Sequence, residues 1–156
     1  MFSKEESVRL QKEFWDAFDQ RTAKIPVKGR GKKRWVLSRT GIKGMVLKFD
    51  ADKKSASVIW EIYYKKPEKI DQVFELLVSY KAVINEFLDP SFVWEEDYRI
   101  ETFDALYSCA RIYKTIDNVS MFKDGDRNVI FDFFIENMTK IEAAFNELQD
   151  ILKEKI

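Results

Sequence analysis

Histidine is missing from this 156-residue sequence, and cysteine occurs once. The first absence removes the side chain that most often acts as a base near neutral pH and as a zinc ligand. The second excludes an internal disulfide. Cys109 has no sequence neighbour that would make it a nucleophile, and it reads as a small buried apolar residue in a strand. No window approaches the apolar length needed to span a bilayer, and no apolar run follows Met1 as a signal peptide requires. A cytoplasmic protein without a membrane partner, cofactor or bound metal is expected. Net charge is absent too, with 27 basic and 27 acidic side chains.

The zero hides an imbalance. Residues 21–54 hold twelve Lys/Arg and two Asp, a net of +10, whereas residues 1–20 carry −2 and residues 55–156 carry −8. A basic patch on one part of the surface follows. Its densest part is the loop Lys24–Arg34, KIPVKGRGKKR. There Lys28, Arg30, Lys32, Lys33 and Arg34 could track a phosphate backbone, or could simply be a solvated basic loop. Gly29-Arg30-Gly31 lacks the preceding strand and the glycine spacing of a phosphate-cradling motif.

Length and 23 aromatic residues predict one domain, residues 1–156, with a sizeable core. Ser3, with Glu6 three residues on, opens a helix whose apolar positions Leu10, Phe14, Ala17 and Phe18 recur at helical spacing to about Thr22. Trp35–Ser38 reads as a strand. Two further strands alternate: Met45, Leu47 and Phe49 on one face of the first, and Ala56, Val58, Trp60, Ile62 and Tyr64 on one face of the second. The intervening Ala51-Asp52-Lys53-Lys54 makes a hairpin that sets Asp50 opposite Ser55 and Glu61 opposite Gly44. Pro67 opens a second helix running to Leu88. Phe92–Tyr98 is an acidic strand suited to a sheet edge. Leu106–Lys114 follows, with Tyr107, Cys109, Arg111 and Tyr113 on one face. After a turn at Asp124-Gly125-Asp126, a last helix spans about Asn128 to Lys153. Its stripe of Ile130, Phe134, Met138, Ile141, Phe145, Leu148 and Leu152 suits either packing on the sheet or a coiled-coil seam between two subunits. The expected fold is α+β: helix, three strands, helix, two strands, helix, with a mainly antiparallel five-stranded sheet.

Several landmarks, in order, resemble an uncharacterised bacterial family, the domain of unknown function DUF4268. They are Glu13-Phe14-Trp15 with Phe18, Trp35, Thr40-Gly41-Ile42-Lys43, Phe49-Asp50-Ala51-Asp52, Glu61-Ile62 and Arg111-Ile112-Tyr113. The resemblance covers nearly the whole chain. It implies a fold and a loose nucleic-acid context but supplies no reaction and no catalytic residues. The element order also resembles the restriction-endonuclease-like core, whose enzymes hold a divalent metal between an Asp and a Glu-x-Lys motif. Asp50 and Glu61 would be the candidates here, but Tyr63 stands where the lysine belongs. The expected register also holds the two carboxylates about 20 Å apart.

Glu61 and Tyr63 share one face with Arg111 and Tyr113, and Arg39 or Lys43 could reach the rim. This constellation is either a pocket for a small ligand or nucleotide, or a buried Glu61–Arg111 pair that fixes the sheet. The leading expectation for function is a non-enzymatic binding or accessory module, engaging nucleic acid or a nucleic-acid-processing protein through the basic loop. A homodimer joined by the last helix is the alternative, and a divergent metal-dependent nuclease the third.

Overall fold

Helix α1 (Lys4–Thr22) begins where its cap places it: Glu6 N donates to Ser3 Oγ at 3.1 Å. The structure, a computed structural model, describes residues 2–25, 35 and 40–156. After α1 come β1 (Met45–Ala51), β2 (Ser55–Ile62), α2 (Pro67–Ser79), α3 (Lys81–Ile84), β3 (Val93–Glu101), β4 (Leu106–Asp117) and α4 (Asp124–Lys155). The strands form one antiparallel sheet in the order β1-β2-β4-β3.

Among the described residues the sheet thus has four strands, not five. The expected strand Trp35–Ser38 lies outside the described residues except for Trp35, which sits in a 3₁₀ turn and is buried. The acidic strand β3 does occupy an edge. There Glu96, Asp97 and Glu101 remain in water, and only Glu95 is half-buried, against Tyr113.

The β1–β2 register differs from the expected one by two residues. Asp50 pairs with Ser57, Leu47 with Trp60, and Val46 with Glu61. The cause is Asp52. Its Oδ1 accepts from Lys54 N at 2.7 Å and Ser55 N at 2.9 Å, while Asp52 N donates to Ser55 O at 3.0 Å. An aspartate side chain that imitates a backbone turn tightens the connection to Lys53-Lys54. Because side chains alternate with period two, the two-residue shift leaves every residue on its expected face.

One face carries Leu47, Val58, Trp60, Ile62, Ala110 and Ile112, all buried. The long helices pack here. Phe18 of α1 meets Phe49 at 5.0 Å between ring centroids, Phe145 of α4 meets Trp60 at 5.7 Å, and Phe74 of α2 meets Trp94 at 6.2 Å. Helices α1 and α4 lock through Phe14, Phe18, Phe131 and Phe134, and Arg21 pairs with Asp132. The stripe of α4 from Ile130 to Leu152 is at most 3% exposed, so the chain's own sheet and helices already cover the surface read as a subunit seam.

The second helix is not continuous. It breaks at Tyr80, where Ser79 Oγ bonds back to Leu76 O at 2.5 Å and Tyr80 N donates to Leu77 O at 3.0 Å, three residues back instead of four. Such local side-chain bonding competes with the helical ladder. The apolar stripe survives the break, since Leu77, Ile84 and Leu88 all remain buried. Asp89 then ties this corner together. Its Oδ2 accepts from Lys114 at 2.9 Å and from Lys140 of α4 at 3.0 Å. Partial burial alone would raise its pKa, but hydrogen bonds from Ser91, Lys114 and Lys140 prevail and hold it well below the usual carboxylate range. Helix α4 starts at Asp124, inside the expected turn, with Asp124 and Asp126 in its first turn where the helix dipole favours anions.

Candidate functional site

The sheet face away from the helices carries polar side chains, yet its centre is dry. Ile59 is fully buried, Cys109 is 1% exposed, and Glu61 and Arg111 are each 6% exposed. Glu61 on β2 lies directly across from Arg111 on β4. Arg111 Nη2 donates to Glu61 Oε1 at 3.0 Å and its Nε donates to the same oxygen at 3.3 Å. Lys48 of β1 completes the group, with Nζ at 3.0 Å from Oε1 and 3.1 Å from Oε2. The Arg111 guanidinium sits 4.1 Å over the ring of Tyr98.

The electrostatics follow from this geometry. Burial would raise the Glu61 pKa, but the hydrogen bond and charge of Lys48, and then of Arg111, outweigh it and hold the carboxyl below its ordinary value. Burial would lower the Arg111 pKa, and Glu61 reverses that, raising it above the usual arginine value. The Cys109 thiol, 3.5 Å from Glu61 Oε1, is pushed up to about 11 by burial and by the Glu61 charge. It is a poor nucleophile in that state. Tyr113 donates to Glu95 at 3.0 Å, and burial together with Glu95 raises it to about 12.

The structure therefore brings Glu61 and Arg111 together and leaves Tyr63 and Tyr113 outside their hydrogen bonds. Tyr63 instead packs edge-on against Tyr107 at 5.3 Å. Arg39 and the loop residues Lys28, Arg30, Lys32, Lys33 and Arg34 lie outside the described residues. The expected pairing of Glu61 with Gly44 is replaced in the true register by Glu61 with Val46. Gly44 now neighbours Tyr63, whose N donates to Gly44 O at 2.9 Å. The ring of Tyr64 lies against Gly44, where a Cβ would stand 2.3 Å from the ring carbons. Gly44 also has φ of +90°, so a side chain is disfavoured there twice over.

A cleft opens beside this ring, with a volume of about 1060 Å³. It exists because β2 leaves the sheet after Ile62 to enter α2, while β4 extends past it. One wall holds Lys43, Lys65, Lys66 and Lys69, the other Ala105, Leu106 and Tyr107, and Tyr63 and Tyr64 lie between. Lys69 Nζ stands 5.6 Å over the Tyr64 ring, and Tyr64 donates to Lys43 O at 2.8 Å. Among the described residues Glu61 is the only carboxylate lining the cleft, and it is already neutralised by Lys48 and Arg111.

Sequence reasoning named Lys43 at the rim but missed Lys48, Tyr98 and the other three lysines of the wall. Lys48 was hidden by the register: only the true pairing, Lys48 with Ile59, brings it diagonally beside Glu61. Lys65 and Lys66 carried a visible signal, a basic pair leading into Pro67 with Lys69 just beyond it. It was lost within a segment of net negative charge. Asp50 and Glu61 are four strand positions apart, about 13 Å, rather than the 20 Å of the expected register. Among the described residues no three carboxylates or thiols gather as a metal site would require, and no helix is long and apolar enough to cross a membrane.

Residues 10–149 match the model of a family described as a domain of unknown function, DUF4268. The chain belongs to that family. No curated protein and no solved structure matches it. In this DUF4268 member the features that bear on function are the cleft and its pattern of charge.

Proposed function

We propose that this DUF4268 chain is a non-enzymatic nucleic-acid-binding accessory module that grips a phosphate backbone along the lysine wall of the cleft. The observation that carries the reading is the wall itself: four lysines line one cleft in which, among the described residues, the sole carboxylate is already paired with two other cations. Clustered cations without acidic partners raise the local concentration of a polyanion and release its counterions on binding. Lys43 belongs to the segment 21–54, whose sequence carries a net charge of +10. Binding rather than catalysis fits Glu61, held ionised by Lys48 and Arg111, and the raised Cys109 thiol.

Fluorescence anisotropy on labelled single-stranded and duplex DNA and RNA, repeated over a range of salt, tests the reading. Affinity should fall steeply with salt. Replacing Lys65, Lys66 and Lys69 together with Ala should reduce the log–log slope on single strands by about 2, at roughly 0.7 for each phosphate no longer neutralised. Replacing Lys28, Arg30, Lys32, Lys33 and Arg34 with Gln measures the loop's share separately. Affinity that ignores salt, or that survives both sets of replacements unchanged, refutes the proposal.

A further inference from the structure

The β3–β4 hairpin outruns the sheet that supports it. Pairing between β2 and β4 ends at Ile62 with Ala110, yet β4 begins four residues earlier, at Leu106. From Tyr98 with Cys109 to Glu101 with Leu106, β3 and β4 pair only with each other among the described residues. At about 3.3 Å per residue, the ribbon projects roughly 13 Å past its last bond to β2. Its tip is pinned. Thr102 N donates to Ala105 O at 2.7 Å, and Thr102 Oγ1 donates to the same carbonyl at 3.2 Å.

On this fixed tip Phe103 is wholly exposed and Leu106 is 67% exposed. No described side chain covers this phenylalanine on its pinned turn, and exposed apolar groups in one place mark contact surfaces. The tip forms the apolar wall of the cleft through Ala105, Leu106 and Tyr107, facing the lysine wall. Glu101 and Asp104 flank Phe103. With these two carboxylates beside it, the tip offers no cationic contact for a phosphate.

We infer that the hairpin is a base-contacting finger, and that the cleft selects unpaired strands over duplex. The inference rests on the nucleic-acid reading above and adds the ligand class. An apolar wall facing a cationic wall matches a polymer with flat apolar faces on one side and phosphates on the other. Single strands present those faces freely, and aromatic side chains stack on them with little sequence preference. In a duplex the same faces are stacked on one another and must be unstacked before an aromatic side chain can reach them.

The test compares the full chain with Phe103→Ala on an unstructured single strand and on a duplex of equal length. Full exposure of Phe103 means the variant should fold normally, checked by an unchanged thermal midpoint. Single-strand affinity should fall about five- to a hundredfold, the range for removing one stacked base. The salt slope should not change, since no charge is removed. Duplex affinity should be weaker at the outset and indifferent to the substitution. Leu106→Ser should show a smaller loss in the same direction. If Phe103→Ala binds single strands like the parent while the lysine replacements still reduce the slope, the finger is refuted and the binding module stands. If neither strand binds with salt dependence, both fall. Binding to phosphatidylserine-containing vesicles that is lost in Phe103→Ala, without nucleic-acid binding, would assign the tip to a lipid surface and overturn both.

Discussion

The two faces of the sheet are built from alternate residues of the same strands, and each excludes water by a different means. On the helix side, Leu47, Trp60, Ile62 and Ile112 are buried by apolar packing under α1, α2 and α4. On the other side, Glu61 and Arg111 are almost as inaccessible, and there the buried charges are matched by each other and by Lys48, with the Tyr98 ring over Arg111. The difference concerns specificity. A slip of two residues would leave the helix side as apolar as before, because period-two alternation is preserved. The same slip would pull Glu61 away from Arg111 across one interface, or from Lys48 across the other. Apolar burial therefore supplies most of the driving force, and the charged face adds to the Asp52 turn in favouring one register among those that packing accepts.

The largest expected effect lies on the helix side. Trp60 is fully buried against Phe145, so Trp60→Ala should cost about 3–5 kcal/mol, read as a lower urea midpoint at unchanged slope. A loss below about 1 kcal/mol would mean that this face is not the core.

Next comes Glu61→Gln, which keeps shape and removes charge. It leaves Arg111 buried without a carboxylate and should cost about 3 kcal/mol, as broken buried pairs do. If nucleic-acid affinity falls and stability does not, Glu61 is a ligand-binding group instead of a structural one. Replacing both partners, Glu61→Leu with Arg111→Met, should restore stability to within about 1 kcal/mol. If the charged face selects the register, the double variant should also show more than one set of amide resonances for β1 and β2. A single set with the parent's cross-strand contacts would refute that role. Acid distinguishes the same variants. Glu61 and Asp89 both have pKa values lowered by folding, so the unfolded chain binds more protons as pH falls. Their contribution is present above the ordinary carboxylate range and is lost as pH falls through it toward the folded values. The thermal midpoint should drop between about pH 5 and about pH 3, and Glu61→Gln should flatten part of that drop.

The contrast between the faces also bears on which features could be read from residues alone. Ser3 with Glu6 marked the start of α1, and the alternation in Met45–Phe49 and Ala56–Ile62 assigned each side chain to its face. The acidic composition of β3 placed it at an edge. These signals are local or averaged over many apolar residues. What escaped depends on single polar atoms. Asp52 Oδ1 shortened the hairpin, Ser79 Oγ broke the second helix, and Lys48 Nζ joined Glu61 from a strand whose register was two residues off. The cleft escaped for another reason. Lys65 and Leu106 are 41 residues apart in sequence, and they face each other only because β2 ends before β4 does.

The smallest effect separates the two kinds of dryness most directly. Cys109 sits on the charged face, 1% exposed, with its thiol pushed up to about 11 by burial and then by Glu61. Thiolate is the reactive form, so at about pH 8 iodoacetamide should modify the native protein at least about a hundredfold more slowly than an unstructured cysteine of pKa near 8.5. Cys109→Ser should change stability by less than about 1 kcal/mol, since the hydroxyl can donate to the same carboxylate. The informative measurement is the labelling rate in Glu61→Gln. Burial alone predicts protection as strong as in the parent. Protection that depends on the carboxylate predicts a faster rate, because the charge that opposed thiolate formation is gone while the burial remains. A rate unchanged by Glu61→Gln would mean that Cys109 is shielded as the helix side is, by packing, and that the charged face governs register without governing its own chemistry.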